Sequence, residues 1–276
     1  MSVLNVRESI RKVIENPWRF VRLRSLAKFF GLSQPISLKD IISKCNEPGQ
    51  VHRTAFLEID MMQGTAFPPD EQLFDNRLHT LQDLYLQAGI VLDIRLDENN
   101  IPNLAGADNT YSDAELDSLT GAHRNPSFKA TDNKMSAYLV VVTRHDPDSK
   151  GNFPLGKMFD TKERLGTAVF QGEPFINTDN LAFLRTAAHE IGHQFNLHHE
   201  DGTTYNEGGT LKHTIMNQTA VIQGSISKWP AGVGLIFGEN ESKHLSNHEI
   251  DNVRPGGGPF SKCNSEHKSW HSGITV

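Results

Sequence analysis

Cysteine is nearly absent from this sequence, which contains only Cys45 and Cys263 among its 276 residues. Two cysteines are too few for a small secreted fold held together by disulfides, and too few for a four-cysteine zinc site. A chain of this length can also bury a hydrophobic core without such cross-links. The two thiols are therefore interpreted as free, or as one long-range disulfide.

Long hydrophobic runs are missing as well. No segment approaches the roughly 20 consecutive apolar residues of a membrane-spanning helix, so no membrane span is predicted. Charged residues interrupt residues 1–18, which therefore lack the apolar core of a secretory signal peptide. A cleavable signal is not expected in this stretch.

A strong excess of one charge is absent from the chain as a whole, whose formal net charge is −6. A nucleic-acid partner is therefore not expected for the whole chain. The charge is unevenly distributed, because residues 1–46 contain 9 basic and 3 acidic side chains, whereas residues 47–276 contain 18 basic and 30 acidic ones. The opposite charges predict that the first segment docks electrostatically on the second.

The residue pattern also divides the chain in two. Residues 1–46 have helical spacing and are predicted to form a basic helical segment, which the Pro- and Gly-containing residues 46–50 separate from the rest. Residues 50–276 mix strand and helix patterns and are predicted to form one α+β domain. Strands are predicted at residues 51–60, 90–96, 137–143 and 166–171, and helices at 68–88, 113–124 and 181–196.

The most informative segment is residues 189–199, HEIGHQFNLHH. On a helix, His189 and His193 lie four residues apart on one face, so both imidazoles can reach a single cation. Glu190 can point toward a metal-bound water without ligating the metal, as a general base requires. A catalytic zinc site needs a third protein ligand and one open position.

The third ligand is predicted from the way in which the helix ends. Asn196 tolerates the left-handed backbone conformation that terminates helices, and the chain can then turn and bring His199 back to the metal. The sequence thus predicts one catalytic zinc bound by His189, His193 and His199. His198 is an alternative ligand that fits the spacing less well, and Glu207 is another that follows the helix too soon.

This pattern, HExxHxxNxxH, resembles the signature of the metzincin zinc metalloproteases, which have Gly where this chain has Asn196. Metzincins also have a tight turn containing a Met beneath the zinc, and Met216 lies in such a turn seventeen residues after His199. The resemblance implies that Met216 forms an apolar floor for the histidines. Gln218 replaces the Tyr of astacins and serralysins, so no subfamily is assigned. The motifs cover residues 189–217 only.

The resemblance implies a zinc-dependent endopeptidase that hydrolyses peptide bonds in peptide or protein substrates, with Glu190 as general base and then general acid. It also implies a mixed twisted sheet, an active-site helix and a C-terminal helical subdomain within residues 50–276. Metzincin substrates lie antiparallel to an edge strand, and residues 219–244, with Trp229, would line the specificity pocket. The implied docking strand consists of Gly166, Thr167, Ala168, Val169 and Phe170.

The segment around Cys45 resembles a degraded form of the cysteine switch of matrix metalloproteinases, in which a propeptide thiolate occupies the open zinc position. Residues 1–46 are accordingly interpreted as a candidate inhibitory pro-segment, and Cys45 as a candidate thiol switch. Export or secretion is favoured, because such a peptidase must be kept from digesting its host.

Several alternatives stay open. A regulatory binding protein would use a structural zinc and the basic segment to contact nucleic acid or another protein, although no helix-turn-helix signature supports this. Residues 200–209 offer carboxylates but lack the EF-hand spacing, so calcium is unsupported there and a surface loop is expected. His244 and His248 are predicted to straddle a helix start on the surface.

Overall fold

The computed structural model describes residues 53–67, 71–75, 77–106, 108–128, 134–199, 203–207, 209–219, 229–230 and 232–260. The predicted N-terminal segment, the boundary at 46–50, Cys45 and Cys263 lie outside these residues. Within them the predicted α+β class is confirmed, since helices accompany a mostly parallel five-stranded sheet. None of the helices described is both long and apolar enough to cross a membrane.

Nine strands are formed by the described residues: β1 (Arg53–Met61), β2 (Gln72–Phe74), β3 (Arg77–His79), β4 (Ile90–Leu96), β5 (Met135–Val142), β6 (Gly156–Met158), β7 (Thr167–Phe170), β8 (Thr204–Glu207) and β9 (Thr210–His213). The main sheet has the order β4-β1-β5-β7-β6. Its first four strands are parallel, and β6 runs antiparallel to β7 at the edge. β2–β3 and β8–β9 are separate hairpins.

The helices in the same part of the chain are α1 (Leu81–Gln87), α2 (Asp113–His123), α3 (Pro174–Thr178), α4 (Asn180–Gln194), α5 (Glu239–Asn247) and α6 (Ile250–Val253), with a 3-10 turn at Pro126–Phe128. The side chain of Ser112 caps α2 by accepting from the backbone N–H of Glu115. Asp179 caps α4 in the same way, accepting from Leu181 and Ala182.

The two faces of the sheet pack against different layers. Because side chains alternate along a strand, Leu57 and Ile59 of β1 face the main hydrophobic core, which also contains residues of α1 and α4. Glu58 and Asp60 face the other side, where the hydroxyl of Tyr138 donates a hydrogen bond to Asp60 at 2.9 Å. The helix α4, which contains the histidine motif, and these carboxylates therefore lie on opposite faces of one sheet.

Helix α4 is central to the fold. Nearly all of its residues are buried, and the hydroxyl of Tyr85 in α1 donates to the carbonyl oxygen of Ala188 at 2.7 Å. Gln194, at its C-terminal end, donates from its side chain to the Tyr138 carbonyl in β5 and accepts from the Tyr138 N–H. These contacts attach α4 to both neighbouring layers and fix its position.

Most predicted elements of the domain are confirmed, but the helix predicted for residues 68–88 is wrong in its first half. The hairpin β2–β3 occupies residues 72–79, with Asp75 at a positive φ of 49° in its turn. The helix begins only after Thr80, whose side chain accepts from the backbone N–H of Asp83. Gly89 ends it with a φ of 84°, as expected. Three further features were not predicted: strand β6, helix α3 and the hairpin β8–β9. Strand β8 of that hairpin lies where a surface loop was expected.

The prediction for His244 and His248 is also wrong. Helix α5 ends at Asn247, so His244 lies in its last turn rather than before a helix start. His244 is buried, and its ring nitrogen Nε2 lies 3.1 Å from the carbonyl oxygen of Phe195. This histidine contributes to the core because it satisfies a buried carbonyl next to the end of α4.

Candidate metal centre

The end of helix α4 brings the third histidine of the motif back toward the first two. Asn196 has a φ of 66°, as its left-handed role requires. Its backbone N–H donates to the carbonyl of His193 at 2.9 Å, and that of Leu197 donates to Gly192 at 3.0 Å, which is the pattern of a Schellman cap. The Asn196 side chain also donates to Asn252 at 2.8 Å. The chain reversal is thus held by both backbone and side-chain bonds.

The imidazoles of the three predicted ligands meet at one point. The Nε2 atom of His189 lies 3.0 Å from that of His199, and the Nε2 atom of His193 lies 3.1 Å from each of the others. Nitrogens bound tetrahedrally to one zinc ion lie about 3.3 Å apart. The spacing of the three nitrogens therefore fits a single small cation.

The opposite nitrogen of each ring is already engaged. Nδ1 of His189 donates to the carbonyl of Ile215 at 2.8 Å, and Nδ1 of His193 donates to that of Leu197 at 2.7 Å. Nδ1 of His199 lies 2.9 Å from the side-chain amide of Gln218, whose oxygen can accept from it in the flipped amide orientation. A proton on Nδ1 leaves the lone pair on Nε2, so three lone pairs converge, as metal ligation requires.

Burial keeps the two helical histidines neutral. Desolvation, aided by the neighbouring His199, lowers the pKa of His193 to about 3. Desolvation is also the main cause that holds the pKa of His189 well below its usual value, and the charge of the neighbouring His193 lowers it further. Neutral imidazoles are the form that ligates metals, so both side chains are in their binding state at neutral pH.

Glu190 lies between α4 and the edge strand β6. It is buried, and its carboxylate accepts a hydrogen bond from the backbone N–H of Met158. Burial raises the pKa of Glu190 to about 8, while that hydrogen bond and the charges of Lys157 and Arg185 oppose the increase. A Cβ atom at Gly156 would lie 2.6 Å from Cγ of Glu190, so glycine is needed for this close approach of β6. Gly156 was not among the site residues predicted from the sequence.

The turn that contains Met216 packs directly on α4. Met216 is fully buried, and its sulfur lies 2.6 Å from the position that a Cβ atom at Gly192 would occupy. The buried guanidinium of Arg185 donates from Nη2 to three carbonyls of this turn, those of Thr214, Ile215 and Asn217 at 3.2, 3.0 and 2.5 Å. Arg185 thereby holds the carbonyl that orients His189. The sequence signal for Arg185 was a single arginine in helix α4, which contains no other arginine or lysine.

A cavity of about 570 Å³ opens beside the three histidines and Glu190. Strand β6 forms one of its walls, and Phe153, Phe175 and Phe260 contribute aromatic surface. His199 is exposed. The site therefore combines buried donors with access for a molecule of peptide size.

The alternative ligand His198 also lines this cavity, but it does not join the other three. Its ring stacks on Phe260 with 3.8 Å between centroids, and its Nε2 atom lies 3.2 Å from the Phe260 carbonyl oxygen.

Trp229, which was expected to line the specificity pocket, packs against Phe175 with 4.9 Å between ring centroids, and its indole N–H donates to Asp179. Of residues 219–244, Thr219 is the described residue that lines the cavity.

The expectation that residues 166–170 form an edge strand is wrong. Strand β7 (Thr167–Phe170) pairs with β5 on one side and with β6 on the other, and its four residues are buried. Its backbone groups already belong to two ladders, so no edge is left for a peptide. The edge of the sheet next to the histidines is β6.

A scan against models of known protein families finds no match to this chain, and a search of curated proteins finds none either. A function for this chain is therefore inferred from the geometry of the candidate site.

Proposed function

We propose that this protein is a zinc-dependent endopeptidase resembling the metzincins, of no assigned subfamily. The observation that carries the proposal is the convergence of three imidazole Nε2 atoms, 3.0 to 3.1 Å apart, beside a buried glutamate. The mixed sheet, the central helix α4 and the short helices that follow it are compatible with the fold that the resemblance implies.

The surroundings favour a catalytic over a structural metal. Structural zinc sites are closed by four protein ligands, whereas catalytic sites have three and keep one position open. Here three donors face a cavity, and His199 is exposed. A zinc ion held by His189, His193 and His199 would supply a Lewis acid and lower the pKa of a bound water.

Glu190 is the proposed general base. It lies in the wall of the same cavity, where its carboxylate can take a proton from the attacking water and then deliver it to the leaving amine. Burial raises the pKa of Glu190, and the hydrogen bond from the Met158 N–H and the charges of Lys157 and Arg185, which favour the ionised form, oppose that rise. Burial, which lowers the pKa values of His189 and His193, keeps these two imidazoles unprotonated.

The proposed docking strand is β6 (Gly156–Met158). It pairs with β7 on one side only, and its residues line the cavity next to Glu190. An extended peptide can add to such an edge through main-chain hydrogen bonds. Substrate side chains would then contact the aromatic rings of Phe153, Phe175 and Phe260.

The decisive experiment measures zinc content and casein cleavage by the full-length protein. We expect about one zinc per chain and cleavage that stops when a chelator is added. Glu190→Ala should keep the zinc and lose about 100- to 10,000-fold in cleavage rate, since it removes only the proton transfer. Glu163→Ala, which removes an exposed glutamate, is the matched control and should cleave normally.

Two results would contradict the proposal. One is clearly less than one zinc per chain, and the other is undiminished casein cleavage by Glu190→Ala. Full zinc occupancy without any cleavage would instead support the regulatory binding protein with a structural zinc.

We also propose that residues 1–46 act as an inhibitory segment. Their 9 basic and 3 acidic side chains oppose the acidic remainder of the chain. Deleting residues 1–46 should raise peptidase activity, and Cys45→Ala should do so as well if the thiol contributes. Unchanged activity of a folded deletion variant would show that the segment is not inhibitory.

A further inference from the structure

A second group of potential metal ligands lies on the other face of the sheet. Glu58 and Asp60 are two residues apart on β1, so both side chains point to the same face, and Asp97 directly follows the neighbouring strand β4. One carboxylate oxygen of each lies within 4.8 Å of the others. Glu58 and Asp60 are 0% exposed, whereas Asp97 is exposed. The cluster is thus buried at its base and open to solvent at one side.

Hydrogen bonds satisfy the buried carboxylate oxygens with one exception. Asp60 accepts from the backbone N–H of Glu98 and from the hydroxyl of Tyr138, both at 2.9 Å. Oε1 of Glu58 accepts from the backbone N–H of Asn125 at 2.7 Å. Within the part of the chain that the structure describes, no donor reaches Oε2 of Glu58, although this atom is buried. A buried carboxylate oxygen without a donor is costly unless a cation or a proton compensates it.

The neighbouring guanidinium of Arg124 does not supply the missing donor to Oε2 of Glu58. The side chain of Arg124 is near Glu58, but its Nη2 atom donates to the carbonyl and hydroxyl oxygens of Ser136 at 3.3 and 3.4 Å. Burial, together with the charges of Asp60 and Asp97, raises the pKa of Glu58 to about 7. The guanidinium of Arg124 is therefore not a hydrogen-bond partner of Oε2 of Glu58.

We propose that Glu58, Asp60 and Asp97 bind a calcium ion that is independent of the imidazole site. Hard carboxylate oxygens suit Ca²⁺, and ligands on opposite sides of that ion lie about 5 Å apart, a span that accommodates the observed cluster. Magnesium usually takes one or two carboxylates and keeps several waters, so three carboxylates favour calcium. The exposed side at Asp97 admits the waters that would complete the coordination.

The proposed ion would join three separate parts of the chain. It would attach β1 to the segment after β4, and through Asn125, whose side-chain amide donates to Asp97 at 3.0 Å, to the turn after α2. These parts belong to the layer opposite α4. Calcium should therefore stabilise the domain without entering the peptidase reaction.

The test titrates CaCl₂, and MgCl₂ in parallel, into full-length protein freed of calcium while thermal unfolding is followed. We expect calcium to raise Tm saturably, and Glu58→Gln to raise the apparent Kd for calcium at least tenfold. The same variant should have a higher Tm than the unaltered chain in the absence of calcium, because one buried negative charge is removed. His189→Ala, which disrupts the imidazole site, should leave the calcium response intact.

Two results would overturn the proposal. One is the absence of a calcium-dependent rise in Tm, which would mean that a proton alone compensates Glu58. The other is an equal calcium response in Glu58→Gln. Asp97→Asn, at the exposed side of the cluster, provides the same comparison if Glu58→Gln does not fold. Since none of these measurements uses peptidase activity, the outcome is separate from that of the proposed function.

Discussion

The two faces of the sheet carry two clusters of potential ligands, and burial affects them in opposite ways. On the α4 side, burial lowers the pKa values of His189 and His193, which leaves neutral rings with free lone pairs. On the α2 side, burial raises the pKa of Glu58, because its ligating form is charged. The imidazole cluster can thus be preformed at little electrostatic cost, whereas the carboxylate cluster requires a proton or a cation.

The hydrogen bonds that orient the side chains also differ between the two clusters. Backbone carbonyls of Ile215 and Leu197 accept from the ring nitrogens of the histidines. Backbone N–H groups, such as those of Glu98 and Asn125, instead donate to the carboxylates. On the histidine side these bonds use the Nδ1 atoms of His189 and His193 and leave their Nε2 atoms facing one another. On the carboxylate side both oxygens of Asp60 already accept hydrogen bonds. The comparison predicts different responses to substitution on the two faces.

The largest effect is expected from His199→Ala. Removing one of three nitrogen ligands should reduce bound zinc from about one per chain to a small fraction and abolish casein cleavage. His198→Ala is the matched control and should retain the zinc, because the His198 ring stacks on Phe260 and lies apart from the triad. Metal analysis after dialysis checks both. Zinc retention by His199→Ala, or zinc loss by His198→Ala, would refute this ligand assignment.

A smaller but still substantial effect is expected from Arg185→Met. The substitution leaves the carbonyls of Thr214, Ile215 and Asn217 without this buried donor, and should lower the free energy of unfolding by roughly 3–5 kcal/mol. Zinc affinity should fall about 10- to 100-fold, since the Ile215 carbonyl orients His189. Urea unfolding and zinc titration measure these changes. The partly exposed Arg95 provides the control variant Arg95→Met, and similar losses in both variants would argue against a positioning role for Arg185.

The smallest effect concerns pH and the carboxylate face. The folded-state pKa of Glu58, about 7, is above its ordinary value of 4.5, so folding favours its protonated form. This contribution to stability is complete below about pH 4.5 and is lost as pH rises through about 7. In calcium-free buffer, the stability advantage of Glu58→Gln should therefore grow by about 1–3 kcal/mol between about pH 5 and pH 8. Asp60, Asp97 and Arg124 face Glu58 in both proteins, so the difference isolates its titration.

Urea unfolding of the two proteins at both pH values measures this difference. Saturating calcium should remove most of the pH dependence, because the ion stabilises the charged carboxylate. A stability difference that does not change with pH would show that Glu58 keeps one protonation state throughout the range.

Features whose constraints lie within one segment of the chain could be predicted from the sequence. The spacing of His189 and His193, the left-handed tolerance of Asn196 and the position of His199 follow from the geometry of one helix and its terminal turn. Strand β5 was likewise recognisable, because a strand buried on both faces has a continuous apolar pattern. Strands β1 and β4 were recognisable because apolar residues recur at alternate positions. The three-residue strands β2, β3 and β6 were not predicted, since three residues carry too little pattern to be detected.

The order of the strands in the sheet could not be predicted from local sequence patterns. Residues 167–170 were recognised as a strand, but nothing in their own sequence indicates that β6 pairs outside them and takes the edge position. In residues 68–88, the spacing of Phe74 and Leu78 suited a helix as well as a hairpin. The cap at Thr80 and the turn at Asp75 resolved that ambiguity.

Local spacing along the chain was therefore sufficient to identify the histidines, Glu190 and the helix that presents them. The tertiary structure alone decided which strand borders the site, that Arg185 holds the Met216 turn, and that Glu58 and Asp60 meet Asp97. The physical reason is the range of the interactions. A helix turn is governed by residues three to five positions apart, whereas Arg185 and Ile215 are 30 positions apart and Asp60 and Asp97 are 37 apart. Packing of the whole sheet brings such distant residues together.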